Sequence, residues 1–159
     1  MRRFGTIAIV ALIAVAAVSL TTWTFAQARA NDYMMLGVVV AEENVALEVE
    51  DEQMGAEGTI SVSRVLAPDD SWLVVHLEEG GMPGMRVGLE PVVAGESTAV
   101  VVMLEEDAMM ADRLIVALHA DRGKRGVFEF DMDHFMKSPD KPYFVGFEEV
   151  ARMVSTGSK

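Results

Sequence analysis

Two of the three histidines in this sequence stand in matching places, and they are the side chains best suited to chemistry near neutral pH. His76 closes the apolar run that starts at Trp72, and His119 closes the run that starts at Leu114. Glu78 and Asp121 each follow two residues later, on the same strand face if the strands continue. If the two runs are neighbouring central strands, both imidazoles meet at one end of a sheet, and a His/His/carboxylate set suits zinc or copper. The alternative is that each imidazole caps a core and hydrogen-bonds a backbone carbonyl.

Methionine adds a second chemistry. Eleven methionines follow Met1, and Met82-Pro83-Gly84-Met85 lies six to nine residues past His76. Thioethers favour Cu(I), although methionine more often fills irregular gaps in a core. The candidate metal ligands are therefore His76, His119, Asp121, Met82 and Met85, for copper or zinc, set against a chain with no cofactor. Two carboxylate clusters, Glu48/Glu50/Asp51/Glu52 and Asp131/Asp133/His134, lack the spacing of a calcium loop and read as solvated faces. GxSxG, HExxH, GxGxxG and phosphate-binding glycine loops are missing, so no enzyme class is indicated. Ser71 or Ser97 with a histidine and Asp121 would make a triad only by a geometry that sequence cannot supply.

The elements that must position these residues read as strands. Val45, Leu47 and Val49 alternate with Ala46, Glu48 and Glu50, a period of two. Thr59–Leu66 alternates as well, with Ile60, Val62 and Leu66 inward and Ser61, Ser63 and Val65 outward. Trp72–Leu77 and Leu114–Leu118 are continuously apolar, as in strands buried on both faces. Gly80–Gly84 reads as a loop, Met85–Val93 as a weaker strand, Thr98–Leu104 as a strong one and Val127–Phe130 as a short one. Asp131–Pro142 is a polar connection. Tyr143–Val154 either closes the sheet or turns helical after Phe147, and Met34–Val40 is an edge strand or a stalk. About seven strands spaced eight to twelve residues apart imply an all-β sandwich or small barrel.

The first thirty residues differ in kind. Arg2 and Arg3 precede an uncharged stretch from Phe4 to Ala28, and Ala26-Gln27-Ala28 and Ala28-Arg29-Ala30 offer small-x-small cleavage sites. This is secretory signal architecture; the alternative is an uncleaved helical anchor. Both readings place the rest outside the cytoplasm, secreted, periplasmic or held at the outer face of the membrane. Beyond residue 30 stand 10 basic and 25 acidic residues, a formal charge of −15. That charge excludes nucleic acid as a partner and disfavours anionic lipid, so membrane contact is expected only through an uncleaved N-terminal segment. Without cysteine there are no disulfides and no thiolate chemistry.

Five stretches occur together in order: Ser71-Trp72-Leu73-Val74-Val75-His76, Met85-Arg86-Val87-Gly88, Leu114 to Asp121 and Gly126 to Phe130, after the acidic-Gln segment Glu50–Gln53. As a set they resemble an uncharacterised family of exported acidic domains found in haloarchaeal and some bacterial surface proteins. The resemblance covers roughly residues 45–154. It implies an immunoglobulin- or cupredoxin-like Greek-key sandwich, and its pattern includes positions matching His76, His119 and Asp121 without giving them a role. The chain departs from that pattern at Ser71, where glycine is usual, at Asp131, where proline is common, and in a longer 131–142 connection.

The sequence thus predicts a signal or anchor at 1–30, a linker or edge strand at 31–44, a sandwich domain at 45–154 and a tail at 155–159. The expected role is an exported, non-catalytic cell-surface or periplasmic binding or structural module, its protein or envelope partner unspecified. The alternative is a periplasmic copper- or zinc-binding protein using His76 and His119.

Overall fold

Alternation of apolar and polar residues builds the first of two facing sheets. A computed structural model describes residues 39–40, 44–51, 58–135 and 137–156. The expected signal or anchor helix at 1–30, most of the 31–44 linker and the end of the tail lie outside the described residues. Strand β2 (Ala46–Val49) pairs antiparallel with β3 (Thr59–Ala67), which pairs antiparallel with β6 (Gly95–Met103). Leu47, Ile60, Val62 and Val102 point inward and are buried, while Ser61 and Ser63 face out.

The inward phase changes midway along β3. Val62 opposes Val49, but Val65, three residues on, opposes Leu47, only two residues back. Ser63–Arg64 therefore forms a bulge, and its extra residue flips the alternation. Val65 and Ala67 fill the core, and Leu66 is only half-buried, the reverse of the simple alternation expected there. The Ser63 hydroxyl donates to the Glu48 carbonyl at 2.7 Å, satisfying the broken ladder. Opposite on β6, Ala99 adopts a left-handed φ of 52°.

The second sheet has the order β10-β7-β4-β5: Ala151–Ser155, Arg113–Ala120, Ser71–Glu79 and Met82–Val92. Its ladders are all antiparallel. Leu73, Val75, Val116 and Leu118 face the first sheet across the core. With no cysteine to staple it, such burial holds the domain, each fully buried aliphatic side chain being worth about 1.5–3 kcal/mol. The chain crosses between sheets after β3, β5 and β6. The order β2-β3-β6 facing β5-β4-β7-β10 is a seven-stranded Greek-key sandwich of immunoglobulin-like topology, as expected. A 3-10 helix at Glu106–Met110 joins β6 to β7. A small third sheet joins β1 (Val39–Val40), parallel to β8 (Tyr143–Val145), and β9 (Glu148–Glu149).

Three local expectations are corrected. Met82-Pro83-Gly84 belongs to β5 rather than to a loop, because Gly80 and Gly81, both at positive φ, complete the hairpin turn alone. Val127–Phe130 joins no ladder; it is an extended arm whose rings pack on the second sheet. The helical alternative after Phe147 gives way to β9 and β10, since β10 pairs with β7 from Ala151↔Ala117 to Ser155↔Arg113.

A histidine pair beneath an anchored loop

β4 and β7 are neighbours in the middle of the second sheet, and both of their faces are buried. The inner face is the sandwich core. The outer face carries Trp72, Val74 and His76 from β4 and Ile115, Ala117 and His119 from β7. Because the strands run antiparallel, Trp72 opposes His119 and His76 opposes Ile115. The two histidines are thus four register positions apart, roughly 13 Å at strand spacing, and share a face rather than a sheet end. Their rings nevertheless lie 6.0 Å apart at 29°, stacked. Each leans toward the other over the Val74–Ala117 pair, where the alanine methyl leaves room.

Both rings are fixed through Nδ1. His76 Nδ1 lies 2.9 Å from the Gly84 carbonyl oxygen, and His119 Nδ1 lies 3.2 Å from that of Asp140. A carbonyl only accepts, so Nδ1 carries the hydrogen in each ring and Nε2 keeps its lone pair. Burial makes the charged form costly and pushes His119 down to about 3, the Asp140 carbonyl resisting and His76 adding to the fall. His76 is also lowered, by burial first, with the Gly84 carbonyl opposing and Arg86 contributing. Both histidines are neutral at neutral pH.

The connection between β7 and β8 roofs this face. Phe130 meets the His119 ring edge-on at 4.9 Å, and Phe128 meets His119 at 5.6 Å and Trp72 at 5.9 Å. Asp140, fully buried, organises the roof. Its Oδ1 accepts from the backbone N–H groups of Arg122 (2.8 Å) and Gly123 (3.0 Å), and its Oδ2 from that of Glu129 (2.6 Å). Ser138 ties Asp131 in place by donating to its carbonyl and accepting from its N–H.

Between this roof and β5 lies a cleft of about 440 Å³. His76 and Gly84 line its sheet side, with Met85 and Arg86 from β5. Phe128, Phe130, Asp131 and Met132 close the loop side. The β4–β5 register slips on each side of the His76–Arg86 pair, and such bulges re-aim side chains. Arg86 lies 5.9 Å over the Phe128 ring and 3.7 Å from Glu105.

The candidate ligands are distributed as follows. His76 and Met85 line the cleft, and His119 is stacked behind His76. Met82 is 68% exposed at the start of β5. Asp121 starts the roof loop, its Oδ2 accepting from the Gly126 N–H, and Glu78 caps the hairpin by accepting from the Gly81 N–H. Asp131 pairs with His134 at 2.7 Å. Among the described residues no group of three or more His, Cys, Asp or Glu is placed to hold a metal ion. Sequence reasoning passed over Asp140, Arg86 and Met132; the one local signal was Asp140 between Pro139 and Pro142, in a segment too polar to be buried without a partner.

Sheet order, outer-face roof and cleft together define an immunoglobulin-like sandwich domain with a pocket on the back of its larger sheet. The chain belongs to the family described as "Domain of unknown function (DUF7282)", whose model matches residues 45–156. Neither the curated proteins nor the solved structures contain a match.

Proposed function

We propose that this protein acts outside the cytoplasm as a non-catalytic binding module and that the cleft beneath the roof loop is its binding site. The observation that carries this reading is the cleft itself. A buried carboxylate, Asp140, holds a loop over a sheet face, and the space left presents imidazole, guanidinium, carboxylate, thioether and aromatic groups together. A concave site where several polar groups converge between aromatic and thioether walls is where a small ligand is expected to bind. The export architecture of residues 1–30 and the acidic remainder support a location in the envelope or beyond it.

The test has two arms. Amino-terminal sequencing and fractionation of the protein from its host locate it; an intact chain in the cytosol overturns the reading. NMR titration of labelled protein with a panel of small organic ions and metal salts then locates binding. Shifts concentrated at residues 84–86 and 128–132 support the cleft, and responses that never localise there overturn it.

A further inference from the structure

We infer that His76, Met85 and Met132 form a binding site for copper(I) in the cleft. The inference rests on the cleft being the binding site and names the class of ligand. His76 is only 3% exposed, its Nδ1 hydrogen is committed to the Gly84 carbonyl, and among the described residues no hydrogen bond reaches Nε2. A cleft-wall imidazole whose Nδ1 hydrogen is tied to a carbonyl and whose Nε2 has no hydrogen-bond partner among the described residues resembles a metal-ligating histidine. The His119 ring stacks behind it and holds its orientation; His119 is a positioning residue here.

The thioethers supply the rest. Met85 and Met132 are 49% and 53% exposed, so neither serves as core filler, and they reach the same cleft from different elements, β5 and the roof loop. One imidazole nitrogen with two thioether sulfurs is a soft set that selects Cu(I) over zinc, calcium or magnesium. The hard or borderline alternative needs a clustered set of histidines and carboxylates, which the described residues do not provide. Arg86 opposes a cation, but it is turned over Phe128 and toward Glu105, and Asp131 on the opposite wall offsets it.

The experiment uses the full chain in the form its host accumulates. Anaerobic titration against a chromophoric Cu(I) chelator measures affinity, and silver(I), a redox-inert substitute, reports the ligands by NMR. The expected result is one ion per chain, with silver shifting the His76 ring and the Met85 and Met132 methyl groups. Met85→Leu and Met132→Leu should each weaken Cu(I) binding by roughly tenfold or more, while Met82→Leu, outside the cleft, leaves it unchanged. These variants leave the buried His76 ring and its hydrogen bond to Gly84 in place, which His76→Ala would remove. Failure to take Cu(I) from the chelator, or undiminished binding in the Met85→Leu/Met132→Leu double variant, overturns the inference. Cleft shifts with another probe but none with silver overturn it too, while leaving the binding reading in place; silence from every probe removes both.

Discussion

The Asp140 carbonyl oxygen accepts the Nδ1 hydrogen of His119 at 3.2 Å, while the carboxylate of the same Asp140 gathers three backbone N–H groups of the roof loop. Beside them the Ala120 N–H donates to the Lys141 carbonyl at 3.0 Å. One residue thus fixes a strand histidine with its main chain and a loop with its side chain. The tautomer of His119, the position of Phe128 and Phe130 and the shape of the cleft all depend on it.

Asp140→Ala leaves those N–H groups without their acceptor in a part-buried setting. Unsatisfied buried donors cost about 1–3 kcal/mol each, and water entering a loosened loop recovers part of that. The expected loss is about 2–4 kcal/mol in urea denaturation, with new proteolytic cuts within 121–142. Asp140→Asn retains the acceptor at Oδ1 but turns an amide toward the Glu129 N–H, so it should fall between. A fully stable Asp140→Ala protein would remove the anchor from this account.

A second prediction concerns Gly88, where β5 passes close to the end of β6. A Cβ there would sit 3.1 Å from the Met103 carbonyl oxygen, 3.1 Å from Leu104 Cδ2 and 3.2 Å from Val102 Cγ1. The carbonyl belongs to the backbone and cannot swing aside. Gly88→Ala should therefore cost about 1–3 kcal/mol, the usual range for overpacking. At Gly84 the nearest atoms to an added methyl belong to the flexible side chain of Glu79, and Gly84→Ala should stay within about 0.5 kcal/mol. Equal melting temperatures for the two variants would contradict this packing.

Much of this fold was legible in the residue order, and the failures have physical causes. Ile60 and Val62 against Ser61 and Ser63 announce a half-buried strand, and the unbroken runs at Trp72 and Leu114 announce strands covered on both sides. The bulge at Ser63–Arg64 was not legible, because it is set by pairing with β2 and not by local composition. Alternation in Val127–Phe130 reads as a strand, but alternation serves equally to lay Phe128 and Phe130 on a sheet face without a ladder. In the site, His76 and His119 were visible by type and by their place after apolar runs. Their antiparallel offset, and the return of Asp140 and Met132 over them, are long-range facts that no spacing encodes.

Ala99, across from Ser63 on β6, makes its own prediction. A φ of 52° costs an alanine about 1 kcal/mol relative to glycine, whose lack of Cβ removes the clash. Glycine also loses more chain entropy on folding, which offsets part of the gain. Ala99→Gly should accordingly be neutral to stabilising, by up to about 1 kcal/mol in thermal denaturation, whereas glycine in a regular strand destabilises. A clear loss of stability would show that β6 runs as a regular strand there.

The last prediction follows from burying neutral histidine. An unfolded histidine titrates near 6.5, and burial lowers His119 to about 3 in the folded protein. Between those values the unfolded chain binds the extra proton, so stability is undiminished above 6.5 and falls as the pH drops toward 3. The slope from one such group reaches at most about 1.4 kcal/mol per pH unit. The groups facing His119 are Trp72 and His76 from β4 and Phe128, Phe130 and the Asp140 carbonyl from the roof. His76, also lowered, adds to the same trend. Asp70 and Asp131, held low by their partners, contribute only near and below 3.8, and Glu149, raised by burial, works in the opposite direction as pH rises through 4.5. His119→Gln keeps a donor for the Asp140 carbonyl and removes the titration. Its unfolding free energy, measured in urea without added metal, should vary with pH less steeply than wild type between 6.5 and 4. Parallel curves for the two proteins would mean that His119 takes up its proton without leaving the fold, and that the roof does not seal it from water.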